Sequence, residues 1–215
     1  MQFSIFYLFV SMWALFRYFN AVAAASRANI LWDTLLSDYT HILELWCGDG
    51  EFAKAVRKNN QHIVHYWWCD VENLLLDNAV LDYYSVISDI SSFEKLLQEK
   101  KIDLIIVAYV FHHIADDSVI LSYLEVAKKY NKKVLVVEEI AVNSRYKKVL
   151  CLNDYWNIFE YRWKVNDWKK YFALNFKSRN EWSAIFEKAW LSFSVVKKLF
   201  LKIYMYFEVY LLEID

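Results

Sequence analysis

The chain has 215 residues, a length that suits one domain, and its 58% hydrophobic content can supply a substantial core. A formal net charge of −1 indicates no nucleic-acid partner, and a charged fraction of 24% is usual for soluble proteins. The three cysteines form no Cys-x-x-Cys pair, so we expect neither a disulfide framework nor a metal site, and we expect a cytoplasmic protein.

Residues 1–26 are rich in apolar side chains and are predicted to form a helical segment of their own. Phe6, Phe9 and Trp13 recur at helical spacing. Arg17 interrupts the run before it reaches the roughly 20 apolar residues that a membrane-spanning helix needs. We therefore expect helices packed on the domain, with a membrane-surface helix or a signal peptide as alternatives.

Residues 27–215 alternate strand-like and helical stretches, which is typical of one α/β domain. Strands are predicted at His41–Leu45, Ile63–Cys69, Tyr83–Ile87, Ile102–Ala108 and Lys133–Glu138. Helices are predicted between them at Glu51–Asn59, Asn73–Ala79, Phe93–Glu99 (capped by Ser91 or Ser92) and Ser118–Tyr130. The pattern predicts a doubly wound, Rossmann-like sheet that is mostly parallel and has helices on both faces.

The last third of the chain follows a different pattern. A helix is predicted at Ser178–Ala189, beginning with a capping box between its first residue and Glu181. Leu191–Val196 and Ile203–Leu212 are predicted to form a C-terminal antiparallel hairpin at one sheet edge, joined through Lys197–Lys202.

Three segments with binding chemistry follow successive predicted strands. Glu44–Gly50 (Glu-Leu-Trp-Cys-Gly-Asp-Gly) leaves the first strand and opens a helix, and glycine there lets the backbone and the helix N–H groups approach a ligand. Asp70 comes about 20 residues later, where a carboxylate can accept hydrogen bonds from ribose hydroxyls. Asp89 follows the third strand. Ligands of such sheets bind beyond the carboxyl ends of the strands, so the sequence predicts one site there.

Across roughly residues 27–213, these segments resemble the class I S-adenosylmethionine-dependent methyltransferases of the small-molecule type. The first motif of that family reads Glu/Asp-x-Gly-x-Gly-x-Gly, and this chain has Glu44-x-Trp46-x-Gly48-x-Gly50. The acidic residues of the family after its second and third strands correspond to Asp70 and Asp89, and its fourth-strand block corresponds to the stretch ending in Tyr109–Ile114.

The resemblance implies S-adenosylmethionine as the cofactor and a small molecule as the methyl acceptor. It implies a cofactor-binding set along the strand ends: Glu44, Trp46, Cys47, Gly48, Asp49, Gly50, Asp70, Val71, Asp89, Ile90 and Tyr109. His112 and His113 follow this set and are candidate catalytic bases that could take a proton from the acceptor. Residues 143–176 are interpreted as an acceptor lid. The sequence indicates no oligomeric state.

Two alternatives to a methyltransferase remain open. A nicotinamide-binding turn expects Gly-x-Gly-x-x-Gly, and this chain has Ala53 at the last position, a variant that such turns tolerate. The matches at Asp89 and at Tyr109–Ile114 favour the methyl donor. The other alternative is a non-catalytic binding or scaffold domain of the same fold, with its donor pocket blocked by Trp46.

The tryptophan and glycine contents are both abnormal. The chain has 10 Trp and 2 Gly, although glycine usually makes up about 7% of residues. Trp stands where the family has glycine at Trp46, at Trp67 or Trp68, and at Trp190. One hypothesis concerns the genetic code. The source organism would read UGA codons as glycine, whereas this sequence would have been translated with UGA as tryptophan. The competing hypothesis is a drifted or artificial sequence that kept the fold and lost cofactor affinity.

Overall fold

The computed structural model describes residues 35–47, 50–70, 84–161, 174–189, 192–202 and 205–213. The predicted helical segment 1–26, the domain boundary at residue 27 and the predicted helix at residues 73–79 lie outside the described residues and stay predictions. No helix within the described part is long and apolar enough to cross a membrane.

The strands of the described residues form one seven-stranded sheet in the order β3-β2-β1-β4-β5-β7-β6. They are β1 (His41–Leu45), β2 (His65–Asp70), β3 (Tyr84–Val86), β4 (Leu104–Ala108), β5 (Lys133–Glu139), β6 (Ser192–Lys202) and β7 (Met205–Glu213). The first five strands pair in parallel, and β7 runs antiparallel between β5 and β6. The predicted mostly parallel sheet with a C-terminal antiparallel hairpin is confirmed.

Helices cover both faces of this sheet, as predicted. They are α1 (Glu51–Asn59), α2 (Ile90–Glu99), α3 (Asp117–Lys129), α4 (Ser144–Tyr161) and α5 (Arg179–Ala189), with a 3-10 turn at Phe111–His113. Apolar residues of α2, α3 and α5 pack on one face, and those of α1 pack on the other. The sheet order reverses between β1 and β4, so the ligand crevice of a doubly wound fold falls at their carboxyl ends.

The central strands are apolar throughout because both of their faces are covered. Leu43 and Ile105 are paired in register and pack into one core, and their neighbours Ile42 and Leu104 pack into the other. All four are at most 1% exposed. Each such buried side chain contributes roughly 1.5–3 kcal/mol to stability, which fixes the register of these strands.

Two local features differ from the prediction. Helix α2 begins at Ile90 and is capped by Asp89 rather than by a serine, because the carboxylate accepts the Ser92 N–H while the Ser92 hydroxyl bonds back to Asp89.

Residues 197–202 belong to strand β6 and are not a connection between the two hairpin strands, because the backbone ladder with β7 continues to the last residues of β6. Lysines are common on edge strands, where they oppose pairing with another sheet.

A buried carboxylate connects β7 to α5. Glu208 is completely buried and accepts hydrogen bonds from Arg179, from the Tyr206 hydroxyl at 2.5 Å and from the Tyr210 hydroxyl at 2.6 Å. Burial would raise the pKa of Glu208, but these hydrogen bonds and the Arg179 charge outweigh burial and lower it. The lowered pKa favours the ionised form of Glu208, whose charge is paired with the partly exposed Arg179 guanidinium.

Candidate functional site

Two buried carboxylates lie where β1 and β2 end side by side. Glu44 and Asp70 are 2% and 4% exposed. The Tyr66 hydroxyl donates to Glu44 Oε2 at 2.8 Å, and the Cys47 N–H donates to the Cys69 carbonyl at 3.1 Å, so the turn after β1 is attached to the end of β2. The structure thus brings the first motif and the acidic residue of the second strand together, as the sequence predicted.

Cys47 lies beside these two carboxylates and is mostly buried. Burial raises the pKa of its thiol, and the charges of Glu44 and Asp70 raise it further. The thiol therefore stays protonated, and a thiolate nucleophile is excluded at this position. Cys47 can offer a ligand its backbone and its shape.

The turn ends at Gly50, which is the N-cap of α1 and has φ 75°. This left-handed conformation is accessible to glycine without steric cost. Gly50 makes no side-chain hydrogen bond to cap the helix, and N–H groups at a helix N-terminus suit an anionic ligand. The predicted cofactor residues Gly48, Asp49 and Val71 lie outside the described residues.

Trp46 has a positive φ of 59°, a conformation that suits glycine and not a bulky residue. Its indole packs edge-on against Tyr123 of α3, with ring centroids 4.6 Å apart, and against Phe111 of the 3-10 turn at 6.1 Å. Both partners follow β4, so the indole connects the end of β1 to the elements after β4. Trp46 is partly buried against the core that α2, α3 and α5 cover.

Trp67 and Trp68 lie in the extended strand β2, one in each core, where the backbone does not require glycine. Trp190 lies outside the described residues. Backbone conformation therefore supports a glycine requirement at Trp46, and it does not support one at Trp67 or Trp68.

Asp89 lies at the same edge of the sheet but is used as a helix cap. The Ser92 N–H and the hydroxyls of Ser91 and Ser92 all bond to its carboxylate. Ile90, the first residue of α2, is partly buried against the core. The predicted contact of Asp89 and Ile90 with the cofactor stays a prediction.

We expect the Asp89 carboxyl to titrate with a pKa of about 2, because those hydrogen bonds hold the ionised form. Its contribution to stability is then present above the ordinary aspartate pKa of about 4 and is lost as the pH falls towards 2. An NMR titration of the side-chain carboxyl carbon checks the value. A midpoint near 4 would contradict the cap described here.

Tyr109 follows β4 and also has a positive φ, 61°. Its ring packs edge-on against Phe207 of β7, with centroids 5.2 Å apart, and its N–H donates to the Val137 carbonyl of β5. It is partly buried on the sheet face opposite to the one that holds the Trp46 indole. A place for Tyr109 between donor and acceptor is untested.

Glu138 holds the segment that follows β4. It is completely buried, and its Oε1 accepts the N–H groups of Val110 and Phe111 at 3.0 and 2.7 Å. Its Oε2 lies 2.7 Å from Nδ1 of His112. The last residues of β5 therefore fix the backbone of the 3-10 turn and the orientation of the His112 ring.

His112, His113 and Asp154 form a cluster. Asp154 Oδ2 lies 3.3 Å from Nε2 of His112 and 3.5 Å from Nε2 of His113. Burial would lower the pKa of His112, but the charges and hydrogen bonds of Glu138 and Asp154 outweigh burial and raise it well above the usual range. Both nitrogens of His112 face carboxylates, whereas the His113 side chain is 22% exposed.

Asp154 and Glu138 were not predicted as members of this cluster, and no metal site was expected. Three potential ligand atoms, from the two histidines and Asp154, lie within 4.8 Å of one another. The adjacent histidines were visible in the sequence. The carboxylate comes from α4, and no local spacing relates it to them.

The predicted acceptor lid at residues 143–176 is described in part. Helix α4 borders a surface groove of about 540 Å³ that is lined by Ser144, Lys147, Lys148, Cys151, Leu152, Tyr155 and Leu174. Residues 162–173 lie outside the described part, so the lid stays a prediction.

Compared with models of known protein families, the sequence matches none, and no curated protein matches it. Among solved structures it is similar to the mitomycin 7-O-methyltransferase MmcR, with a TM-score of 0.54 and 12% identity over 90% of this chain and 53% of that one. It is also similar to the pyocyanin biosynthetic protein PhzM, with a TM-score of 0.52 and 16% identity over 83% of this chain and 52% of that one.

The chain spans about half the length of these two structures. At such low identity the likeness concerns the fold. The chain therefore has a Rossmann-like fold of the kind found in an O-methyltransferase.

Proposed function

We propose that this protein transfers a methyl group from S-adenosylmethionine to a small-molecule acceptor. Methyl transfer needs little covalent help from the protein, because the sulfonium is already a good leaving group and alignment supplies most of the rate. The residues described here would bind and align the two molecules. A fixed catalytic triad is not required.

The observation that carries the proposal is the pair of buried carboxylates at the ends of β1 and β2. Both side chains are buried at adjacent strand ends, and carboxylate oxygens accept hydrogen bonds from ammonium groups and hydroxyls. S-adenosylmethionine offers an ammonium, a sulfonium and ribose hydroxyls. The first N–H groups of α1 lie beyond the same turn and suit its carboxylate.

The Trp46 side chain fits this cofactor less well than the carboxylates do. Its β-carbon stands at a left-handed position, and its indole packs onto Tyr123 and Phe111. We therefore place the obstacle to donor binding at this one residue. Four other members of the predicted set, Glu44, Cys47, Gly50 and Asp70, lie at the same turn and strand ends, whereas Asp89, Ile90 and Tyr109 follow β3 and β4.

A base role, where the acceptor requires one, falls to His113 rather than His112. The His112 ring is 2% exposed and is held between Glu138 and Asp154. The His113 imidazole is partly exposed and has Asp154 beside Nε2, an arrangement that orients a base.

Calorimetry with S-adenosylmethionine tests the proposal on the full chain and on its Trp46→Gly variant. We expect binding by the variant, and transfer of a labelled methyl group to a suitable small hydroxyl or amine compound. If neither protein binds the donor, the methyltransferase proposal is wrong, and a non-catalytic domain of the same fold remains.

A second variant tests the role of Asp70. Added to Trp46→Gly, Asp70→Ala should weaken donor binding by roughly 10–100-fold, because hydrogen bonds to a charged group are worth about 1.5–3 kcal/mol. Asp103→Asn is the matched control. Asp103 accepts hydrogen bonds from Thr40 and His41 at the opposite end of the sheet and should not affect the affinity. Equal affinities in the two variants would remove Asp70 from the site.

A further inference from the structure

We infer that His112, His113 and Asp154 form a binding site for a divalent transition-metal ion, with Zn²⁺ as the best-suited probe. The ligand atoms are Nε2 of each histidine and Oδ2 of the aspartate. Two imidazoles and one carboxylate are a donor set that zinc and neighbouring first-row divalent ions accept. Metal binding needs no methyl donor, but an ion held by Nε2 of His113 would remove that nitrogen as a base.

The separations between the ligand atoms suit a tetrahedral ion. Zinc bonds of about 2.0–2.1 Å, meeting at the tetrahedral angle, place neighbouring ligand atoms roughly 3.4 Å apart. Asp154 Oδ2 lies 3.3 Å from Nε2 of His112 and 3.5 Å from Nε2 of His113, close to this separation, and one ligand atom of each residue lies within 4.8 Å of the other two. Small side-chain rotations would bring all three to an ion.

The surroundings of His112 are those of an oriented metal ligand. Its other ring nitrogen, Nδ1, lies 2.7 Å from Glu138 Oε2, which leaves Nε2 directed at the cluster. Metal-bound histidines almost always have such an outer partner, often a carboxylate. The ring also stacks on Phe176, with centroids 4.4 Å apart and planes 14° from parallel. The ligand is therefore held in place before any ion arrives.

The charge balance of the cluster favours a cation. Glu138 is completely buried, and the Asp154 side chain is 11% exposed, so two carboxylates face two imidazoles with little solvent. Buried charges need compensation, and a divalent ion at the three inner atoms would supply it with both histidines neutral. Without a metal, a protonated His112 would balance the negative charges of Glu138 and Asp154.

Three protein ligands would leave a fourth position for water or another oxygen ligand. That arrangement is typical of catalytic zinc sites, whereas structural sites usually have four protein ligands. The His113 side chain is 22% exposed, compared with 2% for His112, so the site is reached from the His113 side.

Titration of Zn²⁺ into the metal-free full chain, prepared with a chelator, tests the inference. We expect one ion per chain. His113→Ala and Asp154→Asn should each lower the affinity by more than the roughly 10–100-fold that removal of an outer-shell partner causes. Co²⁺ in place of Zn²⁺ should give the strong visible absorption bands of a tetrahedral site, a readout that needs no variant and no methyl donor.

The matched control is His62→Ala, which removes a histidine whose Nε2 contacts the Leu36 carbonyl outside the cluster. It should bind Zn²⁺ as the unchanged chain does, and circular dichroism checks that every variant is folded. Binding of less than one ion per chain, or Zn²⁺ binding that His113→Ala and Asp154→Asn leave unchanged, would show a bare ion-pair cluster and overturn the inference.

Discussion

Replacing Trp46 by glycine should convert a chain that binds S-adenosylmethionine poorly into one that binds it in the micromolar range. Two effects act together. The indole is removed from the end of β1, and the β-carbon leaves a left-handed position that costs a non-glycine residue about 1–2 kcal/mol. A change in Kd from above about 1 mM to about 1 μM corresponds to about 4 kcal/mol, measurable by calorimetry.

The variant Trp46→Ala separates these two effects. It removes the ring but keeps a β-carbon at φ 59°. If the ring is the main obstacle, alanine should recover most of the affinity, and if close backbone approach matters, glycine should bind distinctly more tightly. Micromolar binding by the unchanged chain, with no gain in Trp46→Gly, would contradict the obstruction described here.

The coding DNA tests the origin of Trp46. A UGA codon at position 46 would support translation of a glycine codon as tryptophan. A UGG codon would remove that hypothesis at this position and favour a drifted sequence. The left-handed backbone at Trp46 does not depend on which of the two hypotheses is right, because it is a property of the turn.

Replacing Glu208 by alanine should destabilise the fold by about 1.5–3 kcal/mol, because hydrogen bonds to a charged group contribute about that much. The substitution leaves the hydroxyls of Tyr206 and Tyr210 without the carboxylate that they share. The Arg179 side chain is 43% exposed, so its charge can be solvated after the substitution. Urea unfolding followed by circular dichroism gives the free energy of unfolding.

The matched control lies on the same strand. Glu213 is paired with Lys133, but their side chains are 41% and 48% exposed, and such surface pairs usually contribute no more than about 1 kcal/mol. Glu213→Ala should therefore change the free energy of unfolding far less than Glu208→Ala does. Similar losses in the two variants would mean that the Glu208 network does not stabilise the fold as described.

Much of the architecture could be predicted because it depends on local patterns. The apolar run before Ala108 predicts a strand buried on both faces, and β4 has that position in the sheet. The capping box between Ser178 and Glu181 needs residues three apart, and the Ser178 N–H donates to Glu181 Oε2 at 2.7 Å as predicted. The alternation of strands and helices restricts the topology, because parallel strands need crossover helices.

The cap of α2 and the extent of β6 show the limits of local patterns. Asp89, Ser91 and Ser92 are all good caps, and the choice among them depends on where the chain leaves β3. The lysines at 197, 198 and 202 are polar, so the sequence predicts a connection between two strands there. The length of β6 depends instead on its partner strand, because the backbone ladder with β7 continues through these lysines.

The sequence by itself determined that this is a doubly wound α/β chain and where along it the turn between β1 and α1 lies, because periodicity and motif spacing are local. Only the tertiary structure decided what the side chains of that region do. It placed Asp154 of α4 against His112 and His113, and Glu138 behind them. It also packed the Trp46 indole against Tyr123 and Phe111. Such contacts depend on strand order and helix packing, which bring together residues that no local spacing relates.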